Sequence, residues 1–286
     1  MSEIGRIGSL YRYPVKSMRG EVLASAALGE GGIPGDRAWA LRDERAGEIR
    51  GGKKFPALMQ CAARFLEEPE AGASPAAEML LPDGTRLSTI DPTAGARLSE
   101  FLGKDVTLWP LRPADDDDHY RRGQPDNPDL EAEMRDIFGR LPDEPLPDFS
   151  QFEPEILEFT SPRGTYFDVT PLHILTTASL STFAAANPGV AFGVDRFRPN
   201  LLIDTGEATG LVESQWAGHE LRIGDVRIEV IMPTVRCAMI TQPTGDLPKD
   251  PRVLRAVVAQ GDQNLGVYAR VLAPGTVGVG DTVELV

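Results

Sequence analysis

One cysteine follows an arginine at the end of an apolar stretch, in Pro233-Thr234-Val235-Arg236-Cys237-Ala238-Met239. A neighbouring guanidinium favours the ionised sulfur, the form that acts as a nucleophile or binds a soft metal. The plain alternative is a buried, inert thiol. The chain has only two cysteines, so neither a disulfide framework nor a four-cysteine zinc or iron–sulfur site can be built from it. The second, Cys61, lies within Leu58-Met59-Gln60-Cys61-Ala62-Ala63 and reads as a core residue.

Other polar residues stand where an anion could be gripped. Lys16, Ser17 and Arg19 follow a strand that stops at Tyr13-Pro14, and two cations with a hydroxyl at a strand end suit an oxyanion, although basic loop residues are usually just solvated. Arg37 either pairs with Asp36 or Asp43 or points into a site. The strand Phe167–Leu175 feeds a short helix opened by Thr176, Thr177 and Ser179 and closed by Asn187-Pro188. Free N–H groups and hydroxyls there make an anion cradle, or Thr177 is a simple cap. In Asp195-Arg196-Phe197-Arg198-Pro199-Asn200, Arg198 can bind phosphate bidentately, whereas Arg196 suits a structural salt bridge. His173 is expected to pack in the sheet, since no second histidine stands at ligand spacing.

These residues need elements to place them. Ile4–Tyr13 alternates as a strand, Leu80–Thr85 marks a hairpin turn, and Ala94–Leu102 has helical spacing. Leu221 and Ile223, a Gly224-Asp225 turn, then Val226, Ile228 and Val230 form a second hairpin whose outgoing strand delivers Cys237. Asp250-Pro251 caps a helix reaching Ala259, and two strands around a glycine-rich turn close the chain. Between Pro110 and Glu155 the chain is rich in Asp, Pro and Arg and reads as a mobile connection over a cleft, with Asp115–Asp118 a solvated run and His119-Tyr120-Arg121-Arg122 within reach of a ligand.

The 286 residues provide for two modest domains or one large one. A net charge of −14 argues against a nucleic-acid or anionic-membrane surface, so an anionic ligand must be met by a local basic pocket. No basic flank leads into a long apolar run at the N-terminus, which gives the expectation of a cytoplasmic protein with reduced thiols, without a membrane anchor.

Tyr13-Pro14-Val15-Lys16-Ser17, Asp36-Arg37, Arg198-Pro199-Asn200, Arg236-Cys237, Gly266-Val267-Tyr268-Ala269 and Val279-Gly280-Asp281, in this order over nearly the whole chain, resemble the MOSC family, named for the C-terminal domain of molybdenum cofactor sulfurase. The first two motifs resemble the β-barrel domain that precedes it in the branch containing the mitochondrial amidoxime-reducing component and its bacterial relatives. The resemblance implies a mainly β (α+β) fold: an N-terminal β-barrel domain over residues 1–112, the acidic connection at 113–154, and a MOSC β-barrel domain with flanking helices over 155–286. It implies a molybdenum–molybdopterin cofactor between the domains, with Cys237 as metal ligand and catalytic centre. Lys16, Ser17, Arg37, Thr176, Thr177, Ser179, Arg198, Asn200 and Arg236 would contact the phosphate and pterin.

The implied activity is reduction of small N-hydroxylated compounds. Two cysteines cannot hold a cluster, so a separate flavin or iron–sulfur reductase is the expected electron donor, and an acidic surface suits a basic partner. The alternative is a carrier that holds a persulfide or molybdopterin at Cys237. Family-wide descriptions also mention pyridoxal phosphate, but neither Lys16 nor Lys249 reads as a Schiff-base lysine. The loop Thr241–Asp246 looks shorter than in the mitochondrial relatives, and Thr176-Thr177 stands where they carry a Ser-Glu pair.

Overall fold

The computed structural model describes residues 2–286. At its centre is a closed seven-stranded barrel. The strands Leu201–Asp204, Leu172–Thr176, Asn264–Ala273, Val226–Val235, Glu220–Ile223, Thr282–Leu285 and Ser2–Arg12 pair in that order, and Ser2–Arg12 pairs again with Leu201–Asp204 to close the ring. Side-chain alternation explains the closure: Val226, Ile228 and Val230 are fully buried, while Arg227 and Ile231 on the same strand are exposed. The inward residues join Leu172, Ile174, Leu221, Val267 and Val283 in one core. Leu172–Thr176 and Leu201–Asp204 run parallel, which requires a crossover, and the helix Thr177–Ala186 supplies it.

The first strand departs from a simple division of the chain at residue 112. Ile7 and Leu10 are 1% and 0% exposed because, with Ala26, Leu28 and Ile33, they complete an apolar core built mostly by residues 172–283. Ser25–Leu28 likewise pairs with Gly275–Gly278. The rest of residues 1–112 forms two three-stranded sheets, Glu48–Arg50 with Trp39–Asp43 and Val106–Pro110, and Ala62–Phe65 with Ala77–Leu80 and Arg86–Ser88. These enclose a separate core that includes Val15, Met18, Leu58, Met79 and Leu98 from the helix Ala94–Leu102.

The connection is more ordered than its composition implies. It contains the helix Leu130–Phe138, whose first N–H groups are capped by the Asp129 side chain, and it buries His119, Tyr120, Phe138 and Arg140. Its charges are paired across the molecule: Arg50 meets Asp126 at 2.8 Å and Lys54 meets Glu133 at 2.6 Å. Among the described residues no helix is long and apolar enough to cross a membrane.

Candidate functional site

Five non-glycine residues among those described have left-handed backbone: Ser17 (φ 71°), Arg37 (52°), Arg198 (55°), Asp262 (46°) and Gln263 (69°). Such a conformation costs of order ~1–3 kcal/mol per residue and persists only where surrounding structure fixes it. Three of the five are residues expected to meet an anion. Ser17 is held by its hydroxyl, which accepts the Gly52 N–H at 2.7 Å. Arg37 follows Asp36, a buried carboxylate that accepts from the Tyr13 N–H at 2.8 Å, from the Asn200 amide at 3.0 Å and from Arg37 itself. Arg198 donates through Nη1 to the Met18 carbonyl and stacks 4.2 Å from the centre of the Tyr13 ring. Its Nη2 is buried without a partner. Burial lowers its pKa to about 10, which leaves it charged at neutral pH.

Lys16 completes this basic recess. Its ammonium donates to the Tyr166 carbonyl at 2.7 Å and to Asp168 at 2.8 Å. Burial lowers the Lys16 pKa against the pull of Asp168. Burial would raise the Asp168 pKa, but Lys16, Lys53 and Arg37 together hold it well below the usual carboxylate range. The Lys16 side chain is 10% exposed and that of Asp168 52%, so the carboxylate stands at the mouth of the recess and the ammonium inside. Tyr268, half-buried on the strand Asn264–Ala273, lies within reach of the charges of Asp168 and Arg236, and burial raises its pKa.

Cys237 is partly exposed and precedes the short turn Ala238–Thr241. Cys61, by contrast, is 0% exposed, and burial pushes its thiol up to about 12, as suits an inert core residue. Arg236 points into the barrel wall. It donates to the carbonyls of Leu265 at 2.8 Å and Phe197 at 3.2 Å, and its Nη2 lies 2.6 Å from His173 Nε2. A guanidinium can only donate, so His173 accepts through Nε2 and carries its proton on Nδ1. Burial and the charge of Arg236 push the His173 pKa well below 6.5.

Two further arginines hold the cysteine turn. Arg196 donates to the carbonyls of Gln242 at 3.0 Å and Pro248 at 2.7 Å, clamping backbone instead of forming a salt bridge. Arg140, from the connection, donates to the Arg236 carbonyl at 2.9 Å and to the Gln263 side chain at 3.0 Å. The composition of the connection hid Arg140. The available clue was Gly139, which is left-handed at φ 61° and ends the preceding helix against Ala238, beside the cysteine.

Not every expected contact is free for a ligand. Thr176, not Thr177, is the N-cap of its helix. The hydroxyls of Thr176 and Ser179 donate to Glu213 Oε2 at 2.7 and 2.5 Å, so the protein's own carboxylate occupies that helix end. The Thr177 hydroxyl lies 3.3 Å from that of Thr205. Asn200 is 1% exposed, and its amide is divided among His173, Tyr11 and Asp36. Charge interactions tie Lys16, Arg37 and Arg198 to Asp168, and Asp168 and Cys237 to Tyr268; Lys53 and Asp168 were not among the expected contacts.

Among the described residues no three His, Cys, Asp or Glu side chains are grouped to hold a metal. A metal at Cys237 would therefore take its other ligands from a bound group. A buried guanidinium nitrogen without a partner, among several cations, suits an anionic group such as a phosphate.

Over 77 residues, 26% of this chain, the sequence is 39% identical to molybdenum cofactor sulfurases of Drosophila mojavensis and Drosophila grimshawi, and it spans only 9% and 10% of their lengths. Among solved structures, the YUAD protein of Bacillus subtilis aligns over 98% of this chain and 94% of its own at 12% identity, with a TM-score of 0.43. YiiM from Geobacillus stearothermophilus aligns over 41% of this chain and 54% of its own at 20% identity, with a TM-score of 0.33. Residues 4–77 match the MOSC N-terminal beta barrel domain and residues 162–284 match the MOSC domain. With both domains present in order and more than half of the residues matched, the chain belongs to the MOSC family.

Proposed function

We propose that this chain binds a molybdenum–molybdopterin cofactor and reduces small N-hydroxylated compounds with electrons from a separate flavin or iron–sulfur reductase. The observation that supports cofactor binding best is Arg198: strained, buried against Tyr13, and left with one nitrogen unpartnered. Lys16, Arg37 and Arg198 would neutralise a phosphate. An incoming anion would share or displace the contact that Asp168 makes with Lys16. Cys237 would be the protein's ligand to the metal, and the bound group would supply the two-electron redox chemistry that converts N–OH to N–H and releases water. Tyr268, a neutral phenol at neutral pH whose pKa burial raises further, would be a proton-bearing group on the strand Asn264–Ala273. The net charge of −14 suits docking of a basic electron donor.

Metal and pterin analysis of protein made in a molybdopterin-competent host tests this reading. The expected result is molybdenum and pterin near one per chain, with molybdenum lost in Cys237→Ser and pterin weakened in Arg198→Met. Protein that carries neither, but labels as a persulfide at Cys237, would replace the reading with a sulfur carrier.

A further inference from the structure

Two buried side chains far apart in the chain meet beside the basic recess. Tyr166 is 0% and His119 7% exposed, and His119 Nε2 lies 2.7 Å from the Tyr166 hydroxyl. The same hydroxyl lies 2.7 Å from the Pro110 carbonyl oxygen. A carbonyl can only accept, so Tyr166 donates its proton there and accepts from His119, which carries its own proton on Nε2. Burial lowers the His119 pKa, so the ring is neutral at neutral pH.

The Tyr166 ring packs among Ala40, Ile49, Tyr120 and Phe159. With its hydroxyl also fixed, residue 166 has little freedom to turn. Its backbone carbonyl accepts from Lys16 Nζ at 2.7 Å, and Asp168, two residues on, accepts from the same ammonium at 2.8 Å. Between them, the Phe167 ring centre lies 6.0 Å from the Arg37 guanidinium. An ammonium has three N–H donors. This segment takes two of them, and their directions fix the third. The two contacts differ in permanence: the Asp168 side chain is 52% exposed and open to displacement by an anion, whereas the Tyr166 carbonyl is anchored from within.

We infer that His119 and Tyr166 are positioning residues for Lys16: the buried His119–Tyr166–Pro110 chain holds the Tyr166 carbonyl in place, and that carbonyl sets the direction of the ammonium's remaining N–H. The inference rests on the reading of Lys16 as an anion contact. It gives the acidic connection, which supplies His119, a part in the site without touching a ligand.

Acetylation by acetic anhydride over a pH series, read at each lysine by peptide mass spectrometry, tests it, with exposed Lys249 as the internal reference. Tyr166→Phe keeps the ring and removes the hydroxyl, and Lys16 should then react about fivefold faster, the scale of one lost hydrogen bond. His119→Gln retains an N–H donor and should stay near the parent rate, while His119→Leu should match Tyr166→Phe. Ile223→Ala opens a cavity in the separate barrel core and should leave the Lys16 rate unchanged. Inorganic phosphate should protect Lys16 in the parent protein, and less so in Tyr166→Phe. An unchanged Lys16 rate in Tyr166→Phe, equal rates in the two His119 variants, or the same acceleration in Ile223→Ala overturns the inference. Phosphate without effect on the parent protein would instead overturn the reading of Lys16 as an anion contact.

Discussion

Gly266 sits where the barrel wall meets the His173–Arg236 pair, and Gly266→Ala reports on how tightly that wall is built. The residue has φ +81°, and an added Cβ would lie 2.3 Å from His173 Nε2, 2.8 Å from the Ile174 carbonyl oxygen and 3.2 Å from Arg236 Nη2. Left-handed backbone costs a non-glycine residue about 1–2 kcal/mol. Crowding a packed interior adds about 1–3 kcal/mol. The neighbours cannot turn aside, because Arg236 is 7% and His173 6% exposed and each is held by the other. A total loss of about 2–5 kcal/mol follows, a large part of the ~5–15 kcal/mol that stabilises a typical domain. Urea denaturation measures it. Gly224→Ala is the control: Gly224 is also left-handed, at φ +59°, but a Cβ there meets nothing within 4 Å. It should lose only the backbone part, about 1–2 kcal/mol. Equal losses in the two variants, or a Gly266→Ala loss below about 1 kcal/mol, would refute a rigid His173–Arg236 wall behind the cysteine turn.

Two further outcomes follow from the same neighbourhood. Burial depresses the pKa of both His173 and His119 below 6.5, so below that pH the unfolded chain binds more protons than the folded one. Stability should be full above about pH 6.5 and fall as pH drops, by up to about 1.4 kcal/mol per pH unit for each group. In His173→Gln, denaturation across pH 7 to 5 should show a shallower slope, and an unchanged slope would exclude His173 as a source. Arg140→Met leaves the buried carbonyl of Arg236 without its donor, which should cost about 1–3 kcal/mol and speed the reaction of Cys237 with Ellman's reagent, while Cys61 stays silent. An unaltered labelling rate would show that Arg140 does not hold the cysteine turn.

Much of this was legible because local rules carried it. Asp250-Pro251 opens the helix Pro251–Gln260, Gly224 makes the turn between Glu220–Ile223 and Val226–Val235, and Ala94–Leu102 is the helix its spacing predicts. The lone cysteine after an arginine, together with scattered Lys16, Arg37 and Arg198, stood out as candidates by residue type alone. The sequence could not show which polar groups are already satisfied. Thr176 and Ser179 look like an open helix end until Glu213, more than thirty residues away, is found bonded to both. Arg236 looks like a partner for the thiol, but its donors face Leu265, Phe197 and His173.

The sequence by itself determined the local elements, the single candidate thiol and the cations able to meet an anion, because turn chemistry, capping and side-chain charge are properties of short segments. Only the tertiary structure decided that Ser2–Arg12 closes the C-terminal barrel, that Arg140 from an acidic connection holds the cysteine turn, and that Arg198 keeps an unpartnered nitrogen. These depend on which distant groups become neighbours. Burial then makes each unmade hydrogen bond costly, and the residues left with one are those where a ligand has something to gain.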